Sequence, residues 1–326
     1  MPPRSTAKQE RTRPHANLRD IKKRINSVST TQQITRTMEM VATAKIARAL
    51  QREKDSEPYA AAITDVMLTV AQDSSVDVSN PLLVDPEVYE RALVIVISSD
   101  RGLAGGYNVQ VERAAEQRIK HFYRHGAKEV ELITCGRKAT EFFRKYPNKV
   151  MAIVGESDDP TIENARIVAN YVIDAYSQGH LGRVDIVYFH AKNRVEQALR
   201  LERILPLDQL VLQTARGPRA NENEAPTGLS SPFEFVPSAD HVLSKLIPSY
   251  VLTIVHQAMI DSAAAEQGAR RKSMHSATEN ATAIIADLSR TYNRVRQASI
   301  TTEINEIVGR SRCIGGELMA DTIAVD

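Results

Sequence analysis

The stretch ALVIVISSDRGLAGGYN, residues 92–108, places an apolar run directly before a glycine-rich turn. The charged segment after the turn has helical spacing, so the pattern predicts a strand, a turn and a helix in succession. Glycine-rich turns that lead from a strand into a helix hold phosphate groups in many proteins. The stretch therefore leaves two functions open, a nucleotide site and a turn that serves only the fold.

The spacing of the glycines favours the structural interpretation. A P-loop needs a lysine and a hydroxyl residue after its last glycine, and this turn has no such lysine. A dinucleotide-binding turn needs the spacing G-x-G-x-x-G, whereas the glycines here are Gly102, Gly105 and Gly106, and no acidic residue ends the second strand-like run. Asp100 and Arg101 are polar enough for a site, but they could equally fix the turn. We therefore expect a structural turn and no bound cofactor.

Residues 91–206 alternate between strand-like and helix-like segments. The strand-like runs read ALVIVIS, EVELITC, KVMAIVG and RVDIVYFHA, and the helix-like segments span residues 109–125, 137–146 and 162–177. Strands that alternate with helices indicate βαβ units and a mainly parallel sheet. A fifth strand-like run, VEQALRLERILPL, follows the fourth without a helix, which predicts antiparallel pairing between the two. The pattern predicts a Rossmann-like α/β domain.

Two long helical segments flank this domain. Residues 17–75 contain no glycine and one proline, and their apolar residues recur three or four positions apart. Residues 239–309 have Gly268 as their only internal glycine. At 1.5 Å per residue these helices would extend roughly 80 and 100 Å, so we expect them to pair as an antiparallel coiled coil built from the two ends of the chain. The expected seam of the second helix includes Leu243, Ile247, Val251, Ile254 and Ala258.

The middle of the second helical segment is rich in small side chains. The run DSAAAEQGARRKSMHSATENATA, residues 261–283, has Ala and Ser where a coiled-coil seam would carry leucine. Small side chains permit close approach but bury little apolar area per residue. We therefore expect this run to depend on a larger protein partner for its stability.

Composition excludes several classes of function. The formal net charge is +2, and the basic run at residues 22–24 has no accompanying aromatic residue, so we expect no nucleic-acid binding. Histidines occur without the H-E-x-x-H spacing, and Cys135 and Cys313 form no metal-binding pattern, so we expect no metal site. We expect a buried thiol at Cys135 and an exposed polar contact between His275 and Glu279. No apolar run reaches the ~20 residues that cross a bilayer, so any membrane contact is expected to be indirect.

Three further segments are assigned from composition alone. Residues 1–16 are basic and lack the apolar core of a secretory signal, which favours a disordered tail over an organelle transit peptide. Residues 207–238 are polar and rich in Pro and Gly, which predicts a mobile loop. Residues 310–326 follow the second helical segment as an additional tail.

Three stretches together resemble one protein family, the gamma subunits of F-type ATP synthases. IKKRINSVSTTQQITRTMEMVATAKIARA, residues 21–49, is similar to the amino-terminal helix of that family. SSDRGLAGGYN, residues 98–108, resembles its strand-to-helix turn, and ATENATAIIADLSRTYNRVRQASITTEINEIVG, residues 277–309, closely resembles its carboxy-terminal helix. The resemblance follows the chain in order from Asn17 to Gly309, and the last of the three motifs is highly specific.

The resemblance implies a mechanical function. In that family the coiled coil is the rotor inside three alpha and three beta subunits, and its foot and α/β domain sit on the membrane c-ring with the epsilon subunit. Ion flow turns the ring, and the asymmetric rotor drives the beta-subunit sites through their binding states. The resemblance therefore implies a subunit with no catalytic residue of its own. It also implies a peripheral position on the cytoplasmic face of a bacterial plasma membrane, with the mitochondrial matrix as the alternative.

The resemblance also implies partner-contacting residues. Arg296, Gln297 and Thr301 match family positions that hydrogen-bond to a loop of the catalytic beta subunit. Met38 matches a methionine that faces the beta-subunit lever region, and Arg270 matches an arginine near there on the opposing helix. Ordinary helix surface is the alternative for all five.

The sequence also departs from the family pattern. Thr37, Ala104 and Arg271 stand where Ala, Cys and Met are usual, and residues 310–326 extend past the usual end. These features predict a divergent copy, from an alternative or sodium-linked enzyme. Two other functions stay open from the residues alone, a nucleotide-binding α/β enzyme and a coiled-coil scaffold without ion transport.

Overall fold

A computed structural model describes residues 18–71, 89–193, 196–207 and 239–320, apart from the side chains of Leu68, Thr69, Ala71, Ala239, Asp240, Leu243 and residues 309–320. The chain divides into two compact units. One unit comprises residues 1–37 with 275–326, and the other comprises residues 38–274. The expected tail at residues 1–16 and nearly all of the expected loop at 207–238 lie outside the described residues.

Five helices and five strands make up the described parts of the chain. In chain order they are α1 (Leu18–Ala71), β1 (Arg91–Ile97), α2 (Tyr107–Arg124), β2 (Glu129–Cys135), α3 (Arg137–Phe142), β3 (Lys149–Ile153), α4 (Ile162–Ser177), β4 (Arg183–Ala191), β5 (Gln197–Leu205) and α5 (Ala239–Ala320). None of the described helices has a stretch long and apolar enough to cross a membrane.

The strands form one sheet in the order β3-β2-β1-β4-β5. Strands β1 to β4 are parallel, and β5 pairs antiparallel with β4, with His190 opposite Ala198. The predicted fold class is therefore confirmed, and so is the antiparallel fifth strand. The order reverses between β1 and β4, as it does in doubly wound folds.

The sheet is covered on both faces, and both layers belong to the unit of residues 38–274. On one face α4 packs with residues 63–70 of α1 and residues 247–259 of α5. On the other face α2 and α3 pack with Ala49, Ala264 and Ala265. Strand β1 is buried from Ala92 to Ile97 because it lies between these two layers. Burial on both faces explains its continuous apolar run.

Much of the small-residue run of α5 packs against other parts of the same chain. Residues 261–268 and Arg270 are buried inside the unit of residues 38–274. The expectation that this part of the run needs a separate protein partner is therefore wrong. Alanine and serine side chains let the helix backbone approach the edge of the sheet closely, so the α/β domain itself provides the packing.

The two long helices contact each other through polar as well as apolar side chains. In the unit that contains both chain ends, the Gln32 amide donates to Thr282 Oγ1 at 2.7 Å, and the hydroxyls of Thr35 and Thr278 lie 2.8 Å apart. In the other unit, Ser56 Oγ donates to Gln257 Oε1 at 2.6 Å. In the unit of the chain ends, the contacts move towards lower residue numbers on α5 as they move towards higher numbers on α1, as an antiparallel pair requires.

Some element ends differ from the predicted ones. Helix α3 ends at Phe142 rather than at residue 146, because the segment before Pro147 leaves the helix. Helix α5 continues to Ala320, past the expected end at residue 309, so much of the expected tail belongs to the helix.

Candidate functional site

The place to look for a ligand in a doubly wound sheet is the crevice at the carboxyl ends of the strands where the order reverses. Here those are the ends of β1 and β4, and α5 occupies the position. Asp261 Oδ1 accepts the backbone N–H of Ala191 at 2.7 Å, at the end of β4. The hydroxyls of Tyr107 and Ser262 lie 2.6 Å apart, at the start of α2. The chain therefore fills its own crevice with α5.

A small cavity is left between α5 and the sheet. Its volume is about 30 Å³, which suits one or two water molecules. Small-molecule sites typically measure ~300–1,000 Å³. The lining includes Ser98, Tyr107, Cys135, Met259, Ser262 and Glu266. This cavity is too small for a nucleotide.

The turn at residues 98–106 is fixed by its own polar groups. Asn108 Oδ1 accepts the N–H of Ser99 at 3.0 Å, and Ser99 Oγ donates to the Arg101 carbonyl at 2.6 Å. The Asp100 carboxylate accepts the N–H groups of Arg137 and Ser157, both at 2.9 Å. Burial alone would raise the pKa of Asp100, but these backbone donors outweigh burial and lower the pKa. Asp100 therefore joins the turn to the segments that follow β2 and β3.

The three glycines of the turn have separate roles. Gly105 has φ +59°, a conformation that favours glycine, and a Cβ there would lie 3.8 Å from Ser273 Cβ of α5. Gly106 occupies the N-cap of α2. The carbonyl of Gly102 accepts a hydrogen bond from Arg270. The turn thus faces α5.

Arg270 connects α5 to this turn. Arg270 is only 7% exposed, and its Nη2 donates to the carbonyls of Arg101 at 3.3 Å and Gly102 at 3.4 Å. The same nitrogen lies 2.5 Å from Glu266 Oε1, one helical turn away. Burial raises the pKa of Glu266 to about 7, against the lowering effect of the Arg270 charge. The guanidinium is therefore engaged within the chain.

Asp158, in the segment after β3, joins the two long helices to the domain. It accepts Lys45 Nζ of α1 and Gln267 Nε2 of α5, both at 2.6 Å. The neighbouring Asp159 pairs with Arg52 of α1 at 2.7 Å. Sequence reasoning missed this site because two aspartates in a polar segment give no signal of which distant cations they meet.

The residues expected to contact the beta subunit fall into two groups. Arg296, Gln297 and Thr301 are exposed on α5 within little more than one helical turn, and Thr301 Oγ1 donates to the Gln297 carbonyl at 2.9 Å. Met38 is half-buried and belongs, with Arg270, to the other unit. Contact with a partner stays a prediction for all five residues.

An exposed apolar row accompanies the polar group on α5. Ile300, Ile304 and Ile307 are all exposed, at helical spacing from Arg296. Exposed large apolar side chains in a contiguous row are typical of protein–protein interfaces. This face of α5 therefore combines apolar and hydrogen-bonding groups.

The weaker sequence candidates have ordinary surroundings. Cys135 is buried at the end of β2, as expected, and burial raises the pKa of its thiol to about 12. His275 Nε2 lies 3.4 Å from Glu279 on the exposed surface of α5, as expected. Residues 22–24 are exposed on α1.

Comparison with known proteins gives the family. The chain matches, over residues 17–312, the model of a family described as ATP synthase. It is 37% identical over 299 residues to the ATP synthase gamma chain of Heliobacterium modesticaldum, covering 91% of this chain and 99% of that relative. It is 38% identical to the ATP synthase gamma chain of Stenotrophomonas maltophilia strain R551-3, covering 92% of this chain and 100% of the relative.

Solved structures share the fold. A chain of the Euglena gracilis mitochondrial ATP synthase, in its OSCP/F1/c-ring part, gives a TM-score of 0.60 at 18% identity and covers 91% of this chain and 94% of that one. A chain from the central stalk/c-ring of the Tetrahymena thermophila mitochondrial ATP synthase gives a TM-score of 0.54 at 21% identity, covering 75% and 99%. Together with the end-to-end identity to bacterial relatives, these findings establish that the chain belongs to the ATP synthase gamma chain family.

Proposed function

We propose that this chain is the central-stalk rotor of an ATP synthase, coupling ion flow through the c-ring to ATP synthesis or hydrolysis at the beta subunits. The observation that carries the proposal is the identity to gamma chains over 99–100% of their length. Paired long helices with an inserted α/β domain suit a part that must be stiff, since both helices are poor in glycine.

The chain acts without a catalytic site of its own. Three observations support this part of the proposal. Helix α5 fills the crevice where a doubly wound domain would bind a nucleotide. The remaining cavity is about 30 Å³. Asp100, the acidic residue of the turn, is engaged by backbone N–H groups.

The glycine-rich turn acts as a joint between the rotor helix and the α/β domain. Gly102, Gly105 and Gly106 shape the turn so that its carbonyls meet Arg270, while Asp100 joins it to the sheet. Torque on α5 then reaches the domain through buried, charge-assisted contacts. Such contacts are less compliant than the exposed ion pairs that occur elsewhere on the chain.

The exposed face of α5 at Arg296, Gln297 and Thr301 contacts the beta subunit. Its hydrogen-bonding groups are accessible, and the apolar row at Ile300, Ile304 and Ile307 lies beside them. Met38 provides a further contact from α1. Arg270 contacts the beta subunit in those states in which its guanidinium releases the carbonyls of Arg101 and Gly102.

The partners are three alpha and three beta subunits around one copy of this chain, the epsilon subunit and the c-ring. The chain works at the cytoplasmic face of a bacterial plasma membrane, peripherally and through the c-ring. The support for this location is that the relatives quoted above are bacterial gamma chains.

Co-expression with the alpha and beta subunits of the same organism tests the proposal. Native mass spectrometry should give one copy of this chain with three alpha and three beta subunits. Recovery of the chain alone, or with unrelated proteins, would favour the scaffold function instead. Saturable binding of labelled ATP to the isolated chain would favour the nucleotide-binding enzyme.

A further inference from the structure

A second group of functional side chains lies away from the turn and the exposed face of α5. Glu53 of α1, His190 of β4 and Asp261 of α5 each present a ligand atom within 4.8 Å of the other two. All three belong to the unit of residues 38–274. They come from segments far apart in sequence, so no spacing rule could have revealed them.

The group is nearly enclosed but retains a route from solvent. Glu53 is 5% exposed and Asp261 is 4% exposed, while the His190 side chain is 17% exposed. Carboxylates are rarely buried to this extent unless they are paired or bind a metal ion.

One of the two carboxylates is oriented by the backbone. Asp261 Oδ1 accepts the N–H of Ala191 at 2.7 Å, which leaves Oδ2 directed at His190 Nδ1, 2.6 Å away. Hydrogen bonds of this kind orient metal ligands in known sites. Two helices and a strand supply the three side chains, so their positions are set by rigid elements.

We propose that Glu53, His190 and Asp261 bind a divalent transition-metal cation of the zinc type, which links α1, β4 and α5. One imidazole nitrogen and two carboxylate oxygens are a donor set that suits Zn²⁺ at bond lengths of ~2.0–2.2 Å. Ligands at those lengths lie ~3.4 Å apart in a tetrahedral site. The cation takes the place of the hydrogen between His190 Nδ1 and Asp261 Oδ2. That hydrogen passes to water, and the imidazole binds in its neutral form with a hydrogen on Nε2. The contact between the two side chains then opens, and a side-chain rotation of Glu53 brings its carboxylate to the cation. Water completes the fourth position.

This inference is independent of the proposed function, because it concerns the attachment of the α/β domain to both long helices. Its test uses the intact chain, with Co²⁺ as a visible probe and Zn²⁺ in competition with a chromophoric chelator. His121 and His125, whose rings lie 3.9 Å apart on α2, could bind metal by themselves. Both are therefore replaced by Gln in every protein tested.

The expected result is one Co²⁺ or Zn²⁺ per chain and a melting temperature that rises with Zn²⁺ and falls again with EDTA. The isosteric substitutions Glu53→Gln and Asp261→Asn should each weaken metal binding at least tenfold. An amide oxygen at position 261 can still accept the Ala191 N–H, so this variant keeps its backbone contact. The control pair His275→Gln with Glu279→Gln removes an exposed histidine–carboxylate contact and should leave the affinity unchanged.

Two outcomes would overturn the inference. The first is no stoichiometric binding, or binding that persists in both variants. The second comes from X-ray absorption of the Zn²⁺-loaded chain, which needs no substitution at the site. One imidazole together with oxygen ligands supports the assignment. Two imidazoles, or a thiolate, contradict it.

Discussion

Gly136 connects the end of β2 to the start of α3 and has φ +100°. A Cβ at this position would lie 2.3 Å from the Ser98 carbonyl oxygen. Neither the strand end nor the turn can move without breaking the Asp100 hydrogen bonds described above. We predict that Gly136→Ala lowers the free energy of unfolding by on the order of 3 kcal/mol, from the positive φ and the clash together.

Urea unfolding followed by circular dichroism measures this cost. Gly179→Ala is the control, because Gly179 has φ +72° but open space around its Cβ position. It should cost only the conformational penalty, about 1–2 kcal/mol. Equal losses in the two variants would refute the steric argument.

Arg270 and Glu266 form the buried ion pair on which the joint depends. Replacing Arg270 by Met leaves the Glu266 carboxyl, 1% exposed, without its cation. At pH 8 or above, where the Glu266 carboxyl is ionised in the folded chain, we predict a loss of about 3–5 kcal/mol in unfolding free energy. The exposed pair Arg290–Asp287, 3.4 Å apart, provides the control, since Arg290→Met should cost under about 1 kcal/mol. A similar small cost for Arg270→Met would show that the joint does not rely on the pair.

The pKa of Glu266 gives a pH prediction with a defined sign. Burial raises the pKa from 4.5 to about 7 in the folded chain, so the folded state holds the proton more tightly than the unfolded state. The contribution of Glu266 is therefore most favourable below pH 4.5 and is lost as the pH rises to 7, by roughly 3 kcal/mol. The difference in unfolding free energy between the natural chain and Glu266→Gln, followed across this range, should fall by that amount. A difference in unfolding free energy that stays constant with pH would contradict the raised pKa of Glu266.

At the scale of elements, the seam between α1 and α5 is partly polar. Thr35 and Thr278 share a hydroxyl–hydroxyl hydrogen bond of 2.8 Å, with Thr35 buried. Thr278→Val should cost about 1 kcal/mol, because the Thr35 hydroxyl loses one of its two partners and keeps only the Gln32 carbonyl, 3.0 Å away. The double substitution with Thr35→Val should recover most of that cost, since it replaces two polar groups by apolar ones. Thermal unfolding of the natural chain, the two single variants and the double variant measures these costs. Thr43→Val, at an exposed position, is the control.

The elements themselves follow from local patterns. The buried run Ala92–Ile97 and the three-to-four spacing of α1 predict a strand and a helix because each depends on neighbours within a few positions. The position of α5 in the crevice could not be predicted from such local patterns. It depends on Asp261 meeting Ala191, seventy positions away, and a small-residue run gives no sign of which surface it approaches. The same holds for Asp158 with Lys45.

At the scale of the whole molecule, the exposed face of α5 should matter only in the assembled enzyme. We predict that Arg296→Ala leaves the melting temperature of the isolated chain unchanged, because the side chain is exposed. In the complex with alpha and beta subunits it should reduce ATP hydrolysis severalfold, through the lost contact with the beta subunit. Arg294→Ala removes another exposed arginine of α5 and should have little effect on hydrolysis. Equal effects of the two would argue against a specific contact.

The most direct test of the rotor function is to observe rotation. A label on Gln117→Cys, at an exposed position of α2, is followed in single complexes fixed through their beta subunits. Cys135 is buried and unreactive by its raised pKa, and Cys313 is replaced by Ser. ATP should drive stepwise rotation of the label in one direction, with steps that match three beta subunits per turn. A label that stays fixed while the complex hydrolyses ATP would contradict the proposed function.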